Sequence, residues 1–475
     1  MPAMLPQDPA AALTELRELF DLQRNAFARE PSPSAGERRG HLDALCRLLR
    51  DNAGEIAAAI DADFGHRSLY ETRLLEIFPS LEAARHAKAR VGRWMRPERR
   101  RASVWFWPAR VEVVKQPLGV MGIIAPWNYP LYLAAGPLAS ALAAGNRVIL
   151  KPSEFTPRFG ALLRDLVGRY FARERVAVAL GGVELARAFA QVPFDHILFS
   201  GSTAVGREVM RAAAENLTPV TLELGGKSPA IVARGFPLKV AAEKIILGKC
   251  LNAGQTCIAP DYALLPQGTE EAFVEEARRA VGRFYPEGAA SADYSAIINS
   301  RHHERLTSLV EDARQKGARV IELSAGGSGP GRRMPPTIIT GVDDGMRIMQ
   351  EEIFGPVLPV RTYRELGEAL GYVGARPRPL ALYYFDYDRE GIDRVLAESI
   401  SGGVTVNDTL FHIAQNELPF GGVGPSGMGH YHGQDGFNTF TKRKGVLLQS
   451  RLAGTRLLQP PYGKLAERLL RLMLR

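Results

Sequence analysis

Apolar residues recur three or four positions apart along the first hundred residues of the chain. This period predicts amphipathic helices over residues 9–29 and 34–52, and a third helix over residues 55–63. Residues 68–95 predict one long helix that is interrupted near Pro79, because proline cannot donate to the helical ladder. No motif that carries chemistry lies on these faces, so we interpret the region as structural.

From residue 119 onward, short continuous apolar runs alternate with helical stretches. Such runs are typical of strands that a parallel sheet buries on both faces. Strands are predicted over residues 119–125, 147–150, 176–180 and 195–200 in the first half of the chain, and over residues 231–232, 263–266, 319–323, 337–339, 357–361, 381–385 and 403–407 in the second half. The alternation predicts an α/β fold with two doubly wound sheets, which bind nucleotides at the carboxyl ends of their strands.

Two stretches depart from this alternation. Residues 104–115 alternate aromatic and branched side chains, which predicts a strand or hairpin outside the main core. Residues 465–474 place leucine and methionine at helical spacing among basic residues, so we expect the tail over residues 451–475 to be basic and amphipathic. We expect such a tail to pack on a partner subunit rather than to make a peripheral membrane contact.

Composition narrows the class of protein without indicating a function. The chain has 475 residues, of which 46% are hydrophobic and 23% charged, as in ordinary globular proteins of two or three domains. Its three cysteines are too few for a disulfide framework, and the first residues lack the apolar core of a secretory signal. We therefore expect reduced thiols, a cytoplasmic location and no transmembrane segment.

The formal net charge of +9 does not by itself indicate a nucleic-acid-binding protein. Basic residues are scattered along helices, with a higher density at residues 96–101 and in the tail, and no motif that reads DNA or RNA accompanies them. We interpret the charge mainly as solvated surface, with an anionic dinucleotide as the partner that it favours.

Two glycine-rich segments contribute a thiol and a carboxylate. Residues 222–229 read LELGGKSP and contain Glu223, and residues 252–260 read NAGQTCIAP and contain Cys257. A thiol is a nucleophile only as a thiolate, and a nearby carboxylate deprotonates a thiol or activates a water. A lone cysteine is more often a buried apolar residue than a nucleophile, so the pair alone leaves both interpretations open.

A further glycine turn, residues 201–206, opens a helix directly after a predicted strand. Free N–H groups and the helix dipole make such a turn a natural phosphate site. The turn lacks the middle glycine of the usual dinucleotide-binding fingerprint, so an ordinary strand-to-helix turn fits it equally well. No metal site is predicted, because His430 and His432 have no evident third ligand and His302 is interpreted as part of a solvated helix face.

Seven segments, taken together, resemble the aldehyde dehydrogenase superfamily over nearly the whole chain. They are PWNYP at 126–130, KPSE at 151–154, FSGST at 199–203, ELGGK at 223–227, GQTC at 254–257, EEIFGP at 351–356 and PFGG at 419–422. The compact length and MGHYHG at residues 428–433 resemble the class 3 branch. Three further stretches are most similar to coniferyl aldehyde dehydrogenases, namely FGHRS at 64–68, PAR at 108–110 and VNDTL at 406–410.

The resemblance implies an enzyme that oxidises an aldehyde to the carboxylic acid with NAD⁺, and it leaves NADP⁺ open. Cys257 would attack the aldehyde carbon, and the Asn128 side-chain amide and the Cys257 backbone N–H would hold the oxyanion. Glu223 would then activate the water that hydrolyses the thioester. The implied substrate is an aromatic, coniferaldehyde-like aldehyde, with a medium- or long-chain aliphatic aldehyde as the alternative.

The same resemblance implies which residues bind the cofactor and the substrate. Lys151 and Glu154 would hold the adenosine ribose, and because a carboxylate at Glu154 repels a 2′-phosphate, we expect NAD rather than NADP. Ser202 would meet the pyrophosphate, and Glu352 would bind the nicotinamide ribose. The implied cofactor set is Trp127, Lys151, Ser153, Glu154, Gly201, Ser202, Gly206, Leu224, Gly225, Glu352 and Phe354, and the implied substrate set is Tyr129, Thr256, Ile258, Phe411 and His412.

We expect three structural parts and the tail. Residues 1–96 and 118–225 would form the cofactor domain, and residues 226–418 the catalytic domain with Cys257. Residues 97–117 and 419–450 would form a bridging element. A hairpin outside the two domains is a natural dimerisation edge, and the resemblance implies a homodimer or a pair of dimers.

Three alternatives stay open at this point. A CoA-acylating aldehyde dehydrogenase needs no water-activating base, so the presence of Glu223 counts against it. A catalytically silent nucleotide-binding scaffold would not need Cys257, Glu223 and Asn128 together. A basic protein that binds nucleic acid or a membrane surface would have to lack dehydrogenase activity.

Overall fold

The computed structural model describes residues 9–324, 326–452, 454–455 and 459–474, so residues 1–8 of the predicted cofactor domain and residues 453, 456–458 and 475 of the predicted tail lie outside the described part. Its helices are α1 (Pro9–Arg29), α2 (Ala35–Asp51), α3 (Ala53–Phe64), α4 (Leu69–Thr72), α5 (Phe78–Trp94), α6 (Tyr132–Ala144), α7 (Pro157–Tyr170), α8 (Val183–Gln191), α9 (Thr203–Ala214), α10 (Leu238–Cys250), α11 (Glu270–Phe284), α12 (Ser300–Gln315), α13 (Arg347–Gln350), α14 (Leu366–Gly374), α15 (Arg389–Glu398), α16 (Gly433–Thr439) and α17 (Lys464–Met473). Its strands are β1 (Glu98–Arg100), β2 (Arg110–Pro117), β3 (Val120–Ile124), β4 (Arg147–Lys151), β5 (Val176–Val178), β6 (His196–Gly201), β7 (Val220–Leu224), β8 (Pro229–Val232), β9 (Tyr262–Pro266), β10 (Arg319–Glu322), β11 (Thr337–Thr340), β12 (Val357–Tyr363), β13 (Ala381–Phe385), β14 (Gly403–Val406), β15 (Gly427–Met428) and β16 (Thr441–Leu448).

The first sheet has six strands in the order β15–β7–β6–β3–β4–β5. All neighbours are parallel except the edge strand β15, which runs antiparallel to β7. The chain winds outward in both directions from the β3–β6 pair, which leaves a crevice at the carboxyl ends of these strands. Helix α6 is apolar on all sides and every one of its residues is buried, so it anchors this layer.

The second sheet has seven strands in the order β10–β11–β12–β9–β8–β13–β14. Only the edge strand β10 is antiparallel to its neighbour. From the central β8–β9 pair the chain crosses to the far edge at β10 and returns inward through β11 and β12, and it then continues on the other side with β13 and β14. The predicted α/β fold with two doubly wound sheets is confirmed. Cys257 lies in the segment between α10 and β9, at the amino end of this second sheet.

A third, antiparallel sheet has the order β1–β2–β16. Strand β16 pairs with β2 along its whole length, from Thr441 opposite Pro117 to Leu448 opposite Arg110. The predicted strand over residues 104–115 is correct only from Arg110 onward, since Val104–Phe106 is a 3₁₀ turn. Pro108 explains the difference, because a residue without an N–H group cannot join a strand ladder.

Residues 419–440 are not part of the third sheet, although the predicted bridging element includes them. Gly427 lies opposite Glu223 in the six-stranded sheet, and the N–H of Leu224 donates to the Ser426 carbonyl at 3.1 Å. Helix α16 packs on α5 and α6. Pairing with β15 satisfies backbone groups at the edge of β7 that would otherwise be open.

The helical region before residue 96 follows the sequence pattern closely. A capping box opens α2, in which Glu37 N–H donates to Ser34 Oγ at 3.3 Å and Ser34 N–H donates to Glu37 Oε2 at 2.7 Å. The long helix predicted over residues 68–95 is divided by a π-helical turn, Arg73–Ile77, that ends just before Pro79. Among the described residues, none of the helices is long and apolar enough to cross a membrane.

Candidate active site

Two cavities meet at Cys257. The first, of about 250 Å³, lies at the carboxyl ends of β3, β6 and β7, and its lining includes Trp127, Asn128, Gly201, Ser202, Glu223, Leu224, Gly225, His302, Glu352, Phe354 and Phe420. The second, of about 210 Å³, is mostly apolar, and its lining includes Leu74, Leu75, Phe78, Tyr129, Tyr132, Leu251, Thr256, Ile258, Leu410 and Phe411. Because Cys257 and Leu133 line both, two bound molecules would meet at the thiol.

A strained turn places Cys257. Asn252, Ala253 and Gly254 have left-handed backbone, with φ values of 51°, 49° and 72°. A Cβ at Gly254 would lie 2.2 Å from the Gly355 carbonyl oxygen, so only glycine fits there. Gln255 fixes the turn, because its Nε2 donates to the carbonyl oxygens of Asn252 and Ala296 at 3.0 and 2.9 Å. Such strain persists only where the surroundings enforce it, so the thiol position is tightly determined.

Hydrogen bonds hold both the side chain and the backbone carbonyl of Asn128. Its Nδ2 donates to the Gln255 carbonyl at 3.2 Å, which brings the side-chain amide beside the Cys257 turn. Its own carbonyl accepts from Arg67 Nη1 at 3.1 Å and from Asn252 Nδ2 at 2.9 Å. Since Nδ2 has two N–H bonds, one remains for a ligand, and the side chain has the rigidity that a preorganised oxyanion donor needs.

The protein raises the pKa of the Cys257 thiol to about 12. Burial is the main cause, and the nearby carboxyl groups of Glu352 and Glu223 add to it, because a second negative charge disfavours the thiolate. The main-chain N–H groups of Cys257 and Ile258 act in the opposite direction. The thiol is therefore protonated near neutral pH in the free protein, and its proton must leave before the sulfur attacks.

Glu223 is a buried carboxyl group with unused hydrogen-bonding capacity. Neither of its carboxyl oxygens has a partner among the described residues. Burial raises the pKa of Glu223 well above its ordinary value. Buried polar groups are nearly always paired, because leaving one unpaired costs about 1–3 kcal/mol. An unpaired carboxyl group on a cavity wall is typical of a group that exchanges protons with a bound molecule.

Glu352 and Phe354, which belong to the predicted catalytic domain, line the first cavity opposite the six-stranded sheet. Burial raises the pKa of Glu352 to about 8. Gly225 makes room for this side chain, since a Cβ there would lie 2.1 Å from Glu352 Oε2. The Phe354 ring meets the Trp127 ring edge-on, with 5.3 Å between centroids. The structure thus brings together four residues of the predicted cofactor set.

Four residues of the predicted cofactor set do not line this cavity, and three of them, Lys151, Ser153 and Glu154, lie together at the end of β4. Lys151 ends β4, and its Nζ donates to Glu154 Oε2 at 2.9 Å. The Ser153 hydroxyl accepts from the Phe155 N–H at 3.2 Å. Lys151 is the last residue of β4, the strand next to β3, and Ser153 and Glu154 follow it, so the three extend the crevice along the carboxyl edge of the six-stranded sheet.

The turn after β6 combines a helix N-terminus with close packing. Ser202 caps α9 by accepting from the Val205 N–H at 3.4 Å. Gly206 allows α9 to approach β7, since a Cβ there would lie 2.6 Å from Leu224 Cδ2. Gly201 and Ser202 line the first cavity, where unpaired N–H groups at the start of α9 suit a pyrophosphate. The donors present therefore fit a dinucleotide along this edge.

Four of the five predicted substrate residues line the second cavity, and His412 does not. Tyr129 and Thr256 are joined by a hydrogen bond of 2.7 Å between their hydroxyl oxygens. Ile258 and Phe411 complete the set. His412 is instead 8% exposed and bonds Thr405 Oγ1 through Nδ1 at 2.8 Å, behind the cavity wall. The 3₁₀ turn Phe411–Ala414 points neighbouring side chains in different directions, so Phe411 lines the cavity and His412 does not.

A buried ion pair that the sequence did not reveal supports the Asn128 loop. The Arg67 and Glu76 side chains are fully buried, with 2.7 Å between Arg67 Nη1 and Glu76 Oε1. Glu76 Oε2 also accepts from the Leu131 N–H at 2.7 Å, and the Arg67 guanidinium lies over the Tyr129 ring at 5.0 Å. The sequence signal for this ion pair was Glu76, a carboxylate among the apolar residues of the helix predicted over residues 68–95.

His302 also differs from its predicted solvated position. Its ring packs on Trp127 with 5.1 Å between centroids and lines the first cavity. Burial lowers the pKa of His302 to about 4, so the ring is neutral there. In the part of the chain that the structure describes, no group of three His, Cys, Asp or Glu side chains could hold a metal ion.

Comparison with known proteins agrees with this geometry. A model of the aldehyde dehydrogenase family matches residues 7–446. A Pseudomonas aeruginosa protein named probable coniferyl aldehyde dehydrogenase is 54% identical over 463 residues, covering 98% of this chain and 97% of that protein. The substrate-bound state of Staphylococcus aureus AldH has a TM-score of 0.91 at 36% identity, covering 97% of this chain and 99% of that one. A Pseudomonas syringae indole-3-acetaldehyde dehydrogenase variant in complex with NAD⁺ has a TM-score of 0.83 at 26% identity, covering 92% of this chain and 89% of that one. The chain therefore belongs to the aldehyde dehydrogenase family and is an oxidoreductase that uses a nicotinamide cofactor.

Proposed function

We propose that this enzyme oxidises an aromatic aldehyde of the coniferaldehyde type to its carboxylic acid, with NAD⁺, through a thioester on Cys257. One observation carries the proposal: a mostly apolar cavity with aromatic walls and a crevice suited to a dinucleotide share Cys257. The name of the Pseudomonas aeruginosa relative supports the substrate class. The NAD⁺ complex of the Pseudomonas syringae neighbour supports the cofactor.

In the first half-reaction the chain supplies the nucleophile and the oxyanion donors. Cys257 loses its proton to water in the open cavity, and Sγ adds to the aldehyde carbon. The oxyanion then accepts from the free N–H of Asn128 Nδ2 and from the Cys257 main-chain N–H. Preorganised donors of this kind contribute about 3–4 kcal/mol each to transition-state stabilisation.

Lys151, Ser153, Glu154 and Ser202 would hold the adenosine and pyrophosphate part of the cofactor, and Glu352 the nicotinamide ribose. When bound, the nicotinamide would supply the two-electron acceptor for the hydride that leaves the aldehyde carbon, and the carbon that stays on Sγ is then a thioester. The remaining residues of the proposed set shape the crevice. They are Trp127, Gly201, Gly206, Leu224, Gly225 and Phe354.

In the second half-reaction Glu223 acts on water. Its unpaired carboxylate takes a proton from a water molecule, whose oxygen adds to the thioester carbon. The carbon–sulfur bond breaks, and the Cys257 thiolate and the carboxylic acid are released. Positioned general bases of this kind accelerate such steps by about 10²–10⁴-fold.

The preference for NAD⁺ rests on Glu154. Burial raises the pKa of this carboxyl group, but the Lys151 ammonium outweighs burial, so the pKa is lowered overall. An ionised Glu154 beside the ribose would repel a 2′-phosphate.

We also propose the division of the chain into domains. Residues 1–96 and 118–225 form the cofactor domain, together with β15, and residues 226–418 form the catalytic domain. The three-stranded sheet is the bridging and dimerisation element, and the protein is a cytoplasmic homodimer. Light scattering coupled to size-exclusion chromatography tests the dimer, and a monomer or a tetramer would contradict it.

The experiment that tests the activity compares the wild type with Cys257→Ala on coniferaldehyde, benzaldehyde and hexanal, with NAD⁺, with and without CoA. We expect NADH and free acid from the wild type only, with the highest kcat/KM on coniferaldehyde. A preference for hexanal would replace the substrate class by aliphatic aldehydes. Turnover that requires CoA would replace hydrolysis by acylation.

A further inference from the structure

A cavity rich in arginine lies at the opposite end of the six-stranded sheet from the active site. We call it the arginine cavity. Its volume is about 420 Å³, and its lining includes Arg29, Glu30, His41, Arg147, Glu174 and Arg175. Arg147 begins strand β4, whereas Lys151 ends the same strand on the cofactor side. A strand rises about 3.3 Å per residue, so roughly 13 Å separate the two positions. The arginine cavity is therefore distinct from the active site, and its chemistry does not depend on the proposed function.

Two buried guanidinium groups in the wall of this cavity share one carboxylate. The side chains of Arg147 and Arg175 are 5% and 9% exposed, and Glu30 Oε2 accepts from Nη2 of both, at 3.3 and 3.0 Å. The Glu30 side chain itself is 46% exposed. Glu174 also lines the cavity, but within the described residues its main-chain carbonyl, not its carboxylate, accepts from Arg147, at 2.7 Å. A half-exposed carboxylate compensates two buried cations poorly, because desolvated charges need close counter-ions.

Both guanidinium groups also have donors that are not used. Nη1 of Arg175 and Nε of Arg147 have no hydrogen-bond partner in the part of the chain that the structure describes. Arginine has five N–H donors and no acceptor, and its planar fork matches the oxygens of a phosphate or a carboxylate. Buried donors are nearly always paired in folded proteins. The unused donors therefore indicate a ligand with more acceptor oxygens than Glu30 supplies.

The pKa values of neighbouring groups reflect the excess of positive charge. Arg38 is 1% exposed, and its guanidinium donates to three main-chain carbonyl oxygens. Burial lowers the pKa of Arg38 to about 10, and repulsion by Arg175 adds to this effect. Burial likewise lowers the pKa of His41 to about 4; Arg175 and Arg147 lower it further, and the exposed Glu37 opposes them. An anion in the arginine cavity would relieve this mutual repulsion.

We propose that the arginine cavity binds a phosphate monoester, with its phosphate between Arg147 and Arg175, where Glu30 Oε2 now lies. A phosphate carries up to two negative charges and three acceptor oxygens, so it can serve both guanidinium groups at once. A single carboxylate does not, since Glu30 leaves donors of both arginines unused.

The size of the cavity indicates that the ligand is larger than a bare phosphate ion. Its volume of about 420 Å³ is many times the roughly 30 Å³ that one water molecule occupies in the liquid. Tyr170 and Phe171 belong to the same wall and offer an apolar surface to an organic group. The ligand class is therefore a small phosphorylated organic molecule.

The test is isothermal titration calorimetry of the full-length protein at constant ionic strength, with NAD⁺ in excess so that the cofactor crevice is filled. The probes are inorganic phosphate, glycerol phosphate and benzoate. Arg175→Gln removes one of the two guanidinium groups, and Glu30→Gln removes the carboxylate that occupies the proposed phosphate position. Arg376→Gln is the matched control, because Arg376 follows α14, is also largely buried and pairs with a half-exposed carboxylate, that of Asp344.

We expect both phosphates to bind the wild type, and benzoate to bind more weakly than either. Arg175→Gln should weaken phosphate binding by about 10–150-fold, the loss that follows from removing a charge-assisted hydrogen bond. Glu30→Gln should tighten it by up to about fivefold, since a half-exposed ion pair no longer competes for the same place. The control should bind like the wild type.

Several results would overturn the proposal. They are no phosphate binding by the wild type, binding that neither cavity variant changes, and a loss in the control as large as in Arg175→Gln. Benzoate binding as tightly as glycerol phosphate, or binding of inorganic phosphate without glycerol phosphate, would overturn the ligand class. If Arg175→Gln does not fold, as judged by its thermal midpoint, Glu30→Gln decides alone, and unchanged or weaker binding by that variant would refute the assigned phosphate position.

Discussion

Replacing Glu223 by glutamine should separate the two half-reactions of the enzyme. Glutamine has the same shape and no charge, and the carboxyl oxygens that it replaces have no hydrogen-bond partner to lose. Acylation should survive. Glu223 is one of the two carboxyl groups that raise the pKa of Cys257, so a neutral side chain in its place makes the thiolate easier to form. Thioester hydrolysis should fail, since glutamine cannot take the proton from the attacking water.

The expected magnitude follows from the loss of one general base. Steady-state turnover should fall by about 10²–10⁴-fold, or about 3–5 kcal/mol of barrier. Stopped-flow measurement of NADH should show a burst of about one equivalent per Cys257, followed by this slow phase. Mass spectrometry of the acid-quenched protein should find the acyl group on Cys257.

The matched control is Glu352→Gln in the same cavity. Glu352 lies against Gly225 on the cofactor side, so its loss should slow the burst and raise the KM for NAD⁺. Unchanged turnover in Glu223→Gln would refute the assignment of Glu223 to water. Equal loss of burst and turnover would show that Glu223 acts before the thioester forms. A thermal midpoint close to that of the wild type excludes misfolding as the cause.

Three further predictions test other parts of the site. The burst rate in the wild type should rise about tenfold per pH unit through the neutral range, because a thiol pKa raised to about 12 leaves the thiolate a minor species there; a burst rate that does not change with pH would contradict this. Arg67→Met should lower the free energy of unfolding by about 3–5 kcal/mol in denaturant titrations, because it leaves Glu76 buried without its cation; a loss below about 1 kcal/mol would show that the pair matters little. Glu154→Gln should shift the ratio of kcat/KM for NADP⁺ to that for NAD⁺ in favour of NADP⁺ by about 1–2 kcal/mol, since it removes the charge that repels a 2′-phosphate. An unchanged ratio would show that the 2′-position of the adenosine ribose does not lie beside Glu154.

The pattern of apolar residues predicted most of the fold, because parallel strands that are buried on both faces leave continuous apolar runs. Strand β7 was missed, since Thr221 and Glu223 interrupt its run. Its register is set by neighbours on both sides, with β6 parallel and β15 antiparallel. The pairing with β15 joins residues about two hundred positions apart, and no local pattern encodes such a contact.

The sequence predicted the site residues that lie in recognisable motifs, and it did not predict those that lie outside them. Asn128, Cys257 and Glu352 lie in separate motifs, and the fold places all three on one cavity. The second cavity depends on residues near Leu74 and Phe78, which look like ordinary apolar helix residues. Arg67 and His302 were missed for a related reason, because the burial of a polar side chain depends on tertiary contacts.

The raised pKa values of Cys257 and Glu223 imply an order of events. A thiolate and a carboxylate that disfavour each other cannot both carry charge in the same low-dielectric cavity, so the pair holds at most one negative charge near neutral pH. While Cys257 is the nucleophile, Glu223 is therefore held in its neutral form, and it does not compete for the aldehyde or for the oxyanion donors. Once the sulfur is part of a neutral thioester, no thiolate opposes the ionisation of Glu223, and burial alone still raises the pKa of that carboxyl group. Glu223 is thus freer to ionise and to act as a base for water once there is a thioester to hydrolyse.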